Sequence, residues 1–526
     1  NGTGWSIGTP TLSTPVIFTG NFTATEDLFA CSVVVASGAT VVIPSEINFT
    51  VCGSVTVENG GSFTFNNNAN LIQINDVSNT GNIIMKRDTN PLKRLDYTIW
   101  SAPVAGQNLL AFSPLTLTNR FYTYNTATDA HSAVNPSTTS FTPGLGYQIR
   151  VPNNHPISTP TSWTGTFTGV PNNGPYNVTI SDALNRYNMV GNPYPSPIDL
   201  ATFSSVNASN IEGTIWFWRK ENSIVTQGVW TTWNAGTFTT ASSNTSPISI
   251  GIDPTNFDDV AKNGQGFLVK GKEGITTLSF TNAMRVTNTS NQFFRTNNSN
   301  LNRIWLNLTS ASGHFSQQAI RYSEGGTNDI DRMDAENINS SDVLFTSLRS
   351  NLATETNKFT IQSRQYPFDV NDVVPLSVKV STAGTYSISI DHKDGLFEDG
   401  TQKIYLKDNL TNTETNLNNG SYSFVSDAGV FDTRFELKYV ESALSNNQNN
   451  FENNVIVYQQ NEIIHVNSSI EPIQNVKIFD IRGRLVHTAD NINATSTNVK
   501  LNIENQVVLM RITLINGAVI TRKILN

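Results

Sequence analysis

Cysteine is nearly absent from this chain. Two residues, Cys31 and Cys52, serve 526 positions, and they lack the C-x-x-C spacing of a redox pair. Charge is scarce as well: Asp, Glu, Lys and Arg make up 14 % of the sequence, against roughly 25 % in an average soluble protein. The net charge of −8 comes with no basic run able to track phosphates, so nucleic acid is excluded as the expected partner. No stretch approaches ~18 consecutive apolar residues, so no transmembrane helix is expected. The opening NGTGWSIGTP has neither the basic region nor the apolar core of a signal peptide, and the numbering is expected to start at a mature N-terminus. Catalytic signatures are missing too: there is no G-x-S-x-G, no H-E-x-x-H and no G-x-x-x-x-G-K-[ST]. The six histidines are dispersed. Carboxylate pairs for glycoside hydrolysis leave no local signature, so a hydrolase stays as an alternative to the expected non-enzyme.

What is present is alternation. Short runs with apolar side chains at every second position, separated by Gly, Pro, Asn and Asp, recur along the chain, while 3.6-residue periodicity does not. The expected class is all-β. SVVVASGATVVI (32–43) matches SVTVENGGSFTF (54–65) at an offset of 22, with Val33, Val35 and Gly38 recurring as Val55, Val57 and Gly60. That period predicts β-solenoid-like coils over residues 1–85. On such coils Cys31 and Cys52 lie nearly above one another, and a disulfide is expected, worth roughly 3 kcal/mol. Two buried free thiols are the alternative.

An aromatic-rich β domain is expected over 86–297, marked by RLDYTIWSAPVAG, PGLGYQIRVP, GNPYPSPIDL, WFWRK and NGQGFLVKG. The three prolines of GNPYPSP deny the ladder its donors, so this piece reads as a rigid exposed loop or sheet edge. Trp216 and Trp218 alternate around Phe217, with Trp230 and Trp233 close behind. If the face shared by Trp216 and Trp218 is exposed, it forms a platform for sugar rings, with Trp230 and Trp233 as further candidates; if buried, it is core. A β-sandwich domain follows over 298–440. Its SEGGTNDIDRMDAEN segment gathers Glu324, Asp329, Asp331 and Asp334, the ligand type that Ca²⁺ requires, although the spacing is not that of an EF-hand and a solvated acidic loop is the leading reading. No other cofactor is implied.

Residues 441–453, rich in Asn, Ser and Gln, read as a flexible linker. Beyond it, seven short strands are predicted: 455–458, 463–466, 476–479, 485–488, 499–503, 507–514 and 519–525. They make a compact seven-stranded β-sandwich over 454–526. At its centre VKIFDIRGRLV forms a hairpin in which Asp480 bonds its own backbone and Gly483 takes positive φ.

This last domain resembles the type A C-terminal sorting domain of type IX secretion system substrates of Bacteroidota. The likeness lies in NVKIFDIRGRLV (475–486) and NGAVITRKILN (516–526), at Asp480, Gly483, Arg484, Gly517, Arg522, Lys523, Ile524 and Leu525. Where that family commonly has Gly-x-Tyr, this chain has Gln506-Val507-Val508. The rest is similar to large surface proteins carrying such domains, through DYTIWSAPV, GNPYPSPID, FTNAMRV and DGLFEDGTQKIYLKD. The resemblance implies export across the outer membrane by the type IX translocon barrel, delivery by a shuttle barrel protein, and a secreted or cell-surface location. For the passenger the resemblance brings no assigned chemistry; the expectation is a non-catalytic adhesin or gliding-motility-associated surface protein, with a glycan-binding module as the alternative and surface polysaccharide as a further expected partner.

Overall fold

The computed structural model describes residues 4–218, 230–240, 259–287, 301–338, 347–351, 358–441, 454–469, 471–501 and 506–525. The chain is all-β, and it divides into two compact units, residues 1–440 and 441–526. Among the described residues no helix is long and apolar enough to cross a membrane.

The first unit opens with nine short strands in three parallel ladders. Val16–Phe18, Val33–Val35 and Val55–Val57 form the first. Phe22–Thr23, Thr40–Ile43 and Ser62–Phe65 form the second, and Leu28–Ala30, Asn48–Val51 and Asn70–Gln73 the third. Register pairs such as Val33 with Val55 and Asn48 with Asn70 reproduce the sequence repeat. The three ladders each contribute rings to the interior between them: Phe18 and Phe49 lie 6.4 Å apart, Phe49 and Phe63 6.2 Å, and Trp5 lies 5.9 Å from Phe18. Buried amides, by contrast, stack in register. Asn70 Nδ2 donates to Asn48 Oδ1 at 2.9 Å, and Asn48 Nδ2 donates to Asp27, so groups costly to bury unpaired satisfy one another.

The expected disulfide is not formed: Cys31 and Cys52 are free and half-buried. They do follow the register pair Ala30 and Val51, and the Gly53 amide donates to Cys31 O at 2.7 Å. In-register parallel neighbours project side by side at the ~4.8 Å rung spacing, whereas a disulfide needs Cβ atoms about 3.8 Å apart.

The core does not stop at residue 85. Ile83–Asp88 pairs in parallel with Ser62–Phe65 and antiparallel with Thr164–Pro171, and one apolar cluster runs from Val16 to Phe167. A second cluster, Val178 to Met284, lies against the five-stranded sheet of Tyr187–Gly191, Gly266–Gly271, Ile211–Trp218, Trp230–Asn234 and Thr237–Thr239. A third, Ile304 to Tyr439, is enclosed by an eleven-stranded sheet whose two terminal strands approach each other where the Thr413 and Tyr422 hydroxyls meet at 3.2 Å.

The first two cores are joined by the segment read as an exposed loop. Residues 191–198 are all buried. The prolines remove donors, as expected, but their carbonyls remain: Pro195 O accepts from Leu71 N at 2.8 Å, and Pro193 O accepts from Asn172 Nδ2 at 2.9 Å. Asn192 Nδ2 donates to Ser196 O at 2.7 Å and reaches Ala261 O and Lys262 O, while Tyr194 OH donates to Gly174 O at 2.8 Å. Arg285 closes the joint. Its guanidinium donates to Leu71 O at 2.6 Å, Ser196 Oγ at 3.0 Å and Asn173 Oδ1 at 2.8 Å, and lies 5.0 Å from the Tyr194 ring centre. Burial pulls this guanidinium down to about 9, still protonated at neutral pH.

The second unit has seven strands, as expected in number, with the fifth at Ser496–Lys500 in place of the expected 499–503. Val455–Gln460, Ile463–Ser468 and Ser496–Lys500 form a three-stranded sheet, and Leu485–Ala494, Ile473–Asp480, Val507–Leu514 and Val519–Leu525 a four-stranded one. One core, including Ile464, Val476, Met510 and Ile512, lies between them. The expected linker falls almost wholly outside the described residues.

Replacing Arg285 with Met keeps much of the volume but orphans several buried acceptors. The expected loss is on the order of 2–4 kcal/mol from the first unit, with the second unit's unfolding unchanged, as read by urea denaturation. A change within about 0.5 kcal/mol would contradict the role given to this joint.

Candidate functional site

In the second unit the Asp480 hairpin is built by its own carboxylate. Asp480 Oδ1 accepts from the amides of Arg482 at 2.9 Å and Arg484 at 3.0 Å, and Oδ2 accepts from Arg484 Nε at 3.1 Å. Gly483 has φ +79°, and a Cβ there would touch nothing, so glycine serves backbone conformation alone. The Arg484 amide, together with the other bonds, holds the Asp480 carboxyl below the usual carboxylate range. Gly517, with φ +86°, turns the chain between the last two strands, its amide donating to Leu514 O at 3.0 Å.

Around this end of the sheet apolar groups face outward. Ile481 is 72 % exposed and Leu485 49 %, and Leu509, opposite Lys523, is exposed as well. Arg522 and Ile524 are half-buried, Lys523 is exposed and Leu525 is 66 % exposed. The residues that resemble a sorting signal therefore split in two: Asp480, Gly483 and Gly517 shape turns, whereas Arg484, Lys523 and Leu525 present side chains to solvent.

The four tryptophans do not share one face. Trp216 is 1 % exposed, against Tyr187 at 5.3 Å, and Trp233 is buried on the opposite face, its Nε1 donating to Asp259 Oδ1 at 2.7 Å. Trp218 and Trp230, opposite each other in the strand pair, are half-buried and meet edge to face at 5.1 Å. Their neighbours continue the row: His131 lies 6.2 Å from Trp218, and Tyr122 lies 6.5 Å from His131. Edge-to-face packing covers ring faces with ring edges, so the flat indole platform is replaced by a half-exposed aromatic row.

The acidic loop likewise turns inward. Asp331 Oδ2 accepts from Thr327 N at 2.7 Å and Oδ1 from Met333 N at 2.7 Å. Asp334, buried, accepts from Asp331 N at 2.8 Å and Ser363 N at 2.7 Å, and burial pushes its carboxyl up to about 7. Glu324 and Asp329 point to solvent. Among the described residues no three His, Cys, Asp or Glu side chains converge to hold a metal, so the Ca²⁺ expectation is replaced by carboxylates that fasten turns.

One pair escaped the sequence reading. A β-bulge opposite Trp305 places Asp391 and His392 side by side, with Oδ2 2.6 Å from Nδ1. Asn307 and Gln317 also donate to this carboxylate, and the imidazole stacks on Trp305 at 3.9 Å. The pair supplies an oriented imidazole, not the two facing carboxylates of glycoside hydrolysis. Adjacent residues on a strand ordinarily face opposite ways, so only the bulge brings them together.

Two β units, the second with its own core, define the class as a modular all-β protein. Residues 1–439 match the family model described as "Domain of unknown function (DUF8693)", and the chain belongs to that family. Residues 444–526 match a second, "Domain of unknown function (DUF8694)". No curated protein matches the chain. Among solved structures, a chain titled "Central Fibronectin-III array of RIM-binding protein" is similar at 9 % identity, over 68 % of this chain and 98 % of that one, with a TM-score of 0.14, too low to carry any argument.

Because the folded Asp480 carboxyl is held low, the stability it supplies is present above the ordinary carboxylate range, near 3.9, and is lost as pH falls through its folded value. The second unit's melting temperature should thus fall in acid more steeply for the wild type than for Asp480→Asn, with the two curves parallel above about pH 5. Parallel curves throughout the acid range would show that the carboxylate does not fasten the hairpin.

Proposed function

We propose that this is a cell-surface protein exported by a type IX secretion system, with residues 441–526 as the sorting handle and residues 1–440 as a non-catalytic passenger, an adhesin or motility-associated surface protein. The observation that carries the reading is the separateness of the second unit, which has its own core and lies beyond a break in compactness at residue 441. A signal read by export machinery has to fold independently of its passenger and leave recognition groups in reach. The outward Arg484, Lys523 and Leu525 meet the second need. The partners on this reading are the translocon barrel and the shuttle protein, and the location is the cell surface.

A second reading, glycan binding by the passenger, is favoured by the half-exposed row of Tyr122, His131, Trp218 and Trp230, since aromatic edges interleaved with hydrogen-bonding groups suit a sugar chain.

Deleting Lys523 to Asn526 tests the first reading: it removes Lys523, the half-buried Ile524 and the exposed Leu525, three residues paired with strand Val507–Leu514. The truncated chain should keep its first unit folded yet accumulate in the periplasm, while a fluorescent protein carrying only 441–526 should reach the surface. Normal display of the truncated chain, or a fusion that never leaves the cell, would refute the assignment.

A further inference from the structure

The sheet of Tyr97–Trp100, Tyr147–Arg150, Phe121–Asn125 and Ala130–Ala133 buries Thr98, Phe121 and Ile149 on one face and turns Tyr97, Tyr122 and Arg150 to the other. There Tyr97 lies opposite Arg150 across the strand pair, and the Tyr97 and Tyr122 rings are 6.0 Å apart. Arg120 Nη1 donates to Tyr122 OH at 3.2 Å, and Arg150 Nη2 donates to Asn153 Oδ1 at 3.1 Å. Neither guanidinium meets a carboxylate among the described residues. Arg150 is only 6 % exposed, and the Nε groups of both Arg120 and Arg150 are shielded from water with no hydrogen-bond partner.

Burial depresses the Arg150 guanidinium, and the like charges of Arg120 and Arg94 add to the effect. Asp129, beside Tyr124 on the same face, is bonded to the Tyr124 hydroxyl and to Asn185 Nδ2, so at the Arg120 and Arg150 end no carboxylate among the described residues bonds either guanidinium. Uncompensated charge in a desolvated place is costly, and an anionic ligand would offset the cost.

We propose that Arg120, beside Tyr97, Tyr122 and the buried Arg150, holds a carboxylate or sulfate group of an acidic glycan whose chain follows the row through His131 to Trp218 and Trp230. The inference rests on the glycan-binding reading and adds the charge class and the polarity of the site. Tyrosine hydroxyls, guanidinium N–H groups and the imidazole supply donors for acidic sugars, and the ring edges contact the sugar backbone.

The test is titration calorimetry of the full chain with oligogalacturonate, a sulfated galactan oligosaccharide and a neutral galactan oligosaccharide of equal length. Binding of at least one acidic probe and none of the neutral one is expected, weakening as NaCl rises. Arg120→Gln should cost roughly tenfold or more in affinity at an unchanged melting temperature, and Trp218→Ala should weaken the same probe. Equal binding of the neutral probe would overturn the anion assignment while leaving glycan binding standing. Failure of all three oligosaccharides would overturn both, even if inorganic sulfate bound. A folded Arg120→Gln chain with wild-type affinity would remove the arginines from the site.

Discussion

The first unit depends on one buried cation. Arg285 ties the last rung of the parallel ladders to the second apolar core through the Leu71 carbonyl, Ser196 and Asn173, with the Tyr194 ring beneath it. A guanidinium taken out of water is tolerable when its N–H groups find acceptors in fixed directions, and its planar fork suits several carbonyl and amide oxygens at once. The arrangement fixes distance as well as affinity: Leu71 accepts from Arg285 while its amide donates to Pro195, so the ladder end and the proline-rich segment are held by both polar groups of one residue. The aromatic row and the arginine face lie on sheets that this joint helps to hold together.

The parts legible in the sequence were those written as period. The 22-residue repeat gave the parallel register, because stacked rungs place equivalent residues above one another. The alternation after residue 454 marked the seven strands of the second unit, with Leu485–Ala494 running beyond its predicted end at Thr488 and the fifth strand at Ser496–Lys500 in place of 499–503. Strand alternation also separated Trp216 and Trp218 from Phe217 correctly.

What was not legible depended on contacts distant in sequence. GNPYPSP looked exposed because prolines cannot donate, but its carbonyls and the Asn192 amide find partners at Leu71 and Ala261, far away along the chain. Asp331 and Asp334 looked like ligands until backbone amides claimed their oxygens. Trp233, three residues after Trp230, had to face the other way from it, a parity that proximity in sequence obscured. Arg150 carried a partial signal: in YQIR one face takes Tyr147 and Ile149, so Gln148 and Arg150 lie on the other face, where both are nonetheless buried. The approach of Tyr97, Tyr122 and Arg120 to that face required the sheet.

Two compact units support the proposal of an exported surface protein if each can be kept, varied or removed without unfolding the other. That independence is the claim from which the functional reading follows. Differential scanning calorimetry of the full chain beside the fragment 441–526 tests it most directly. Two transitions are predicted, one coinciding in temperature with that of the isolated fragment. A single cooperative transition for the full chain, with no folded state of the fragment, would contradict it.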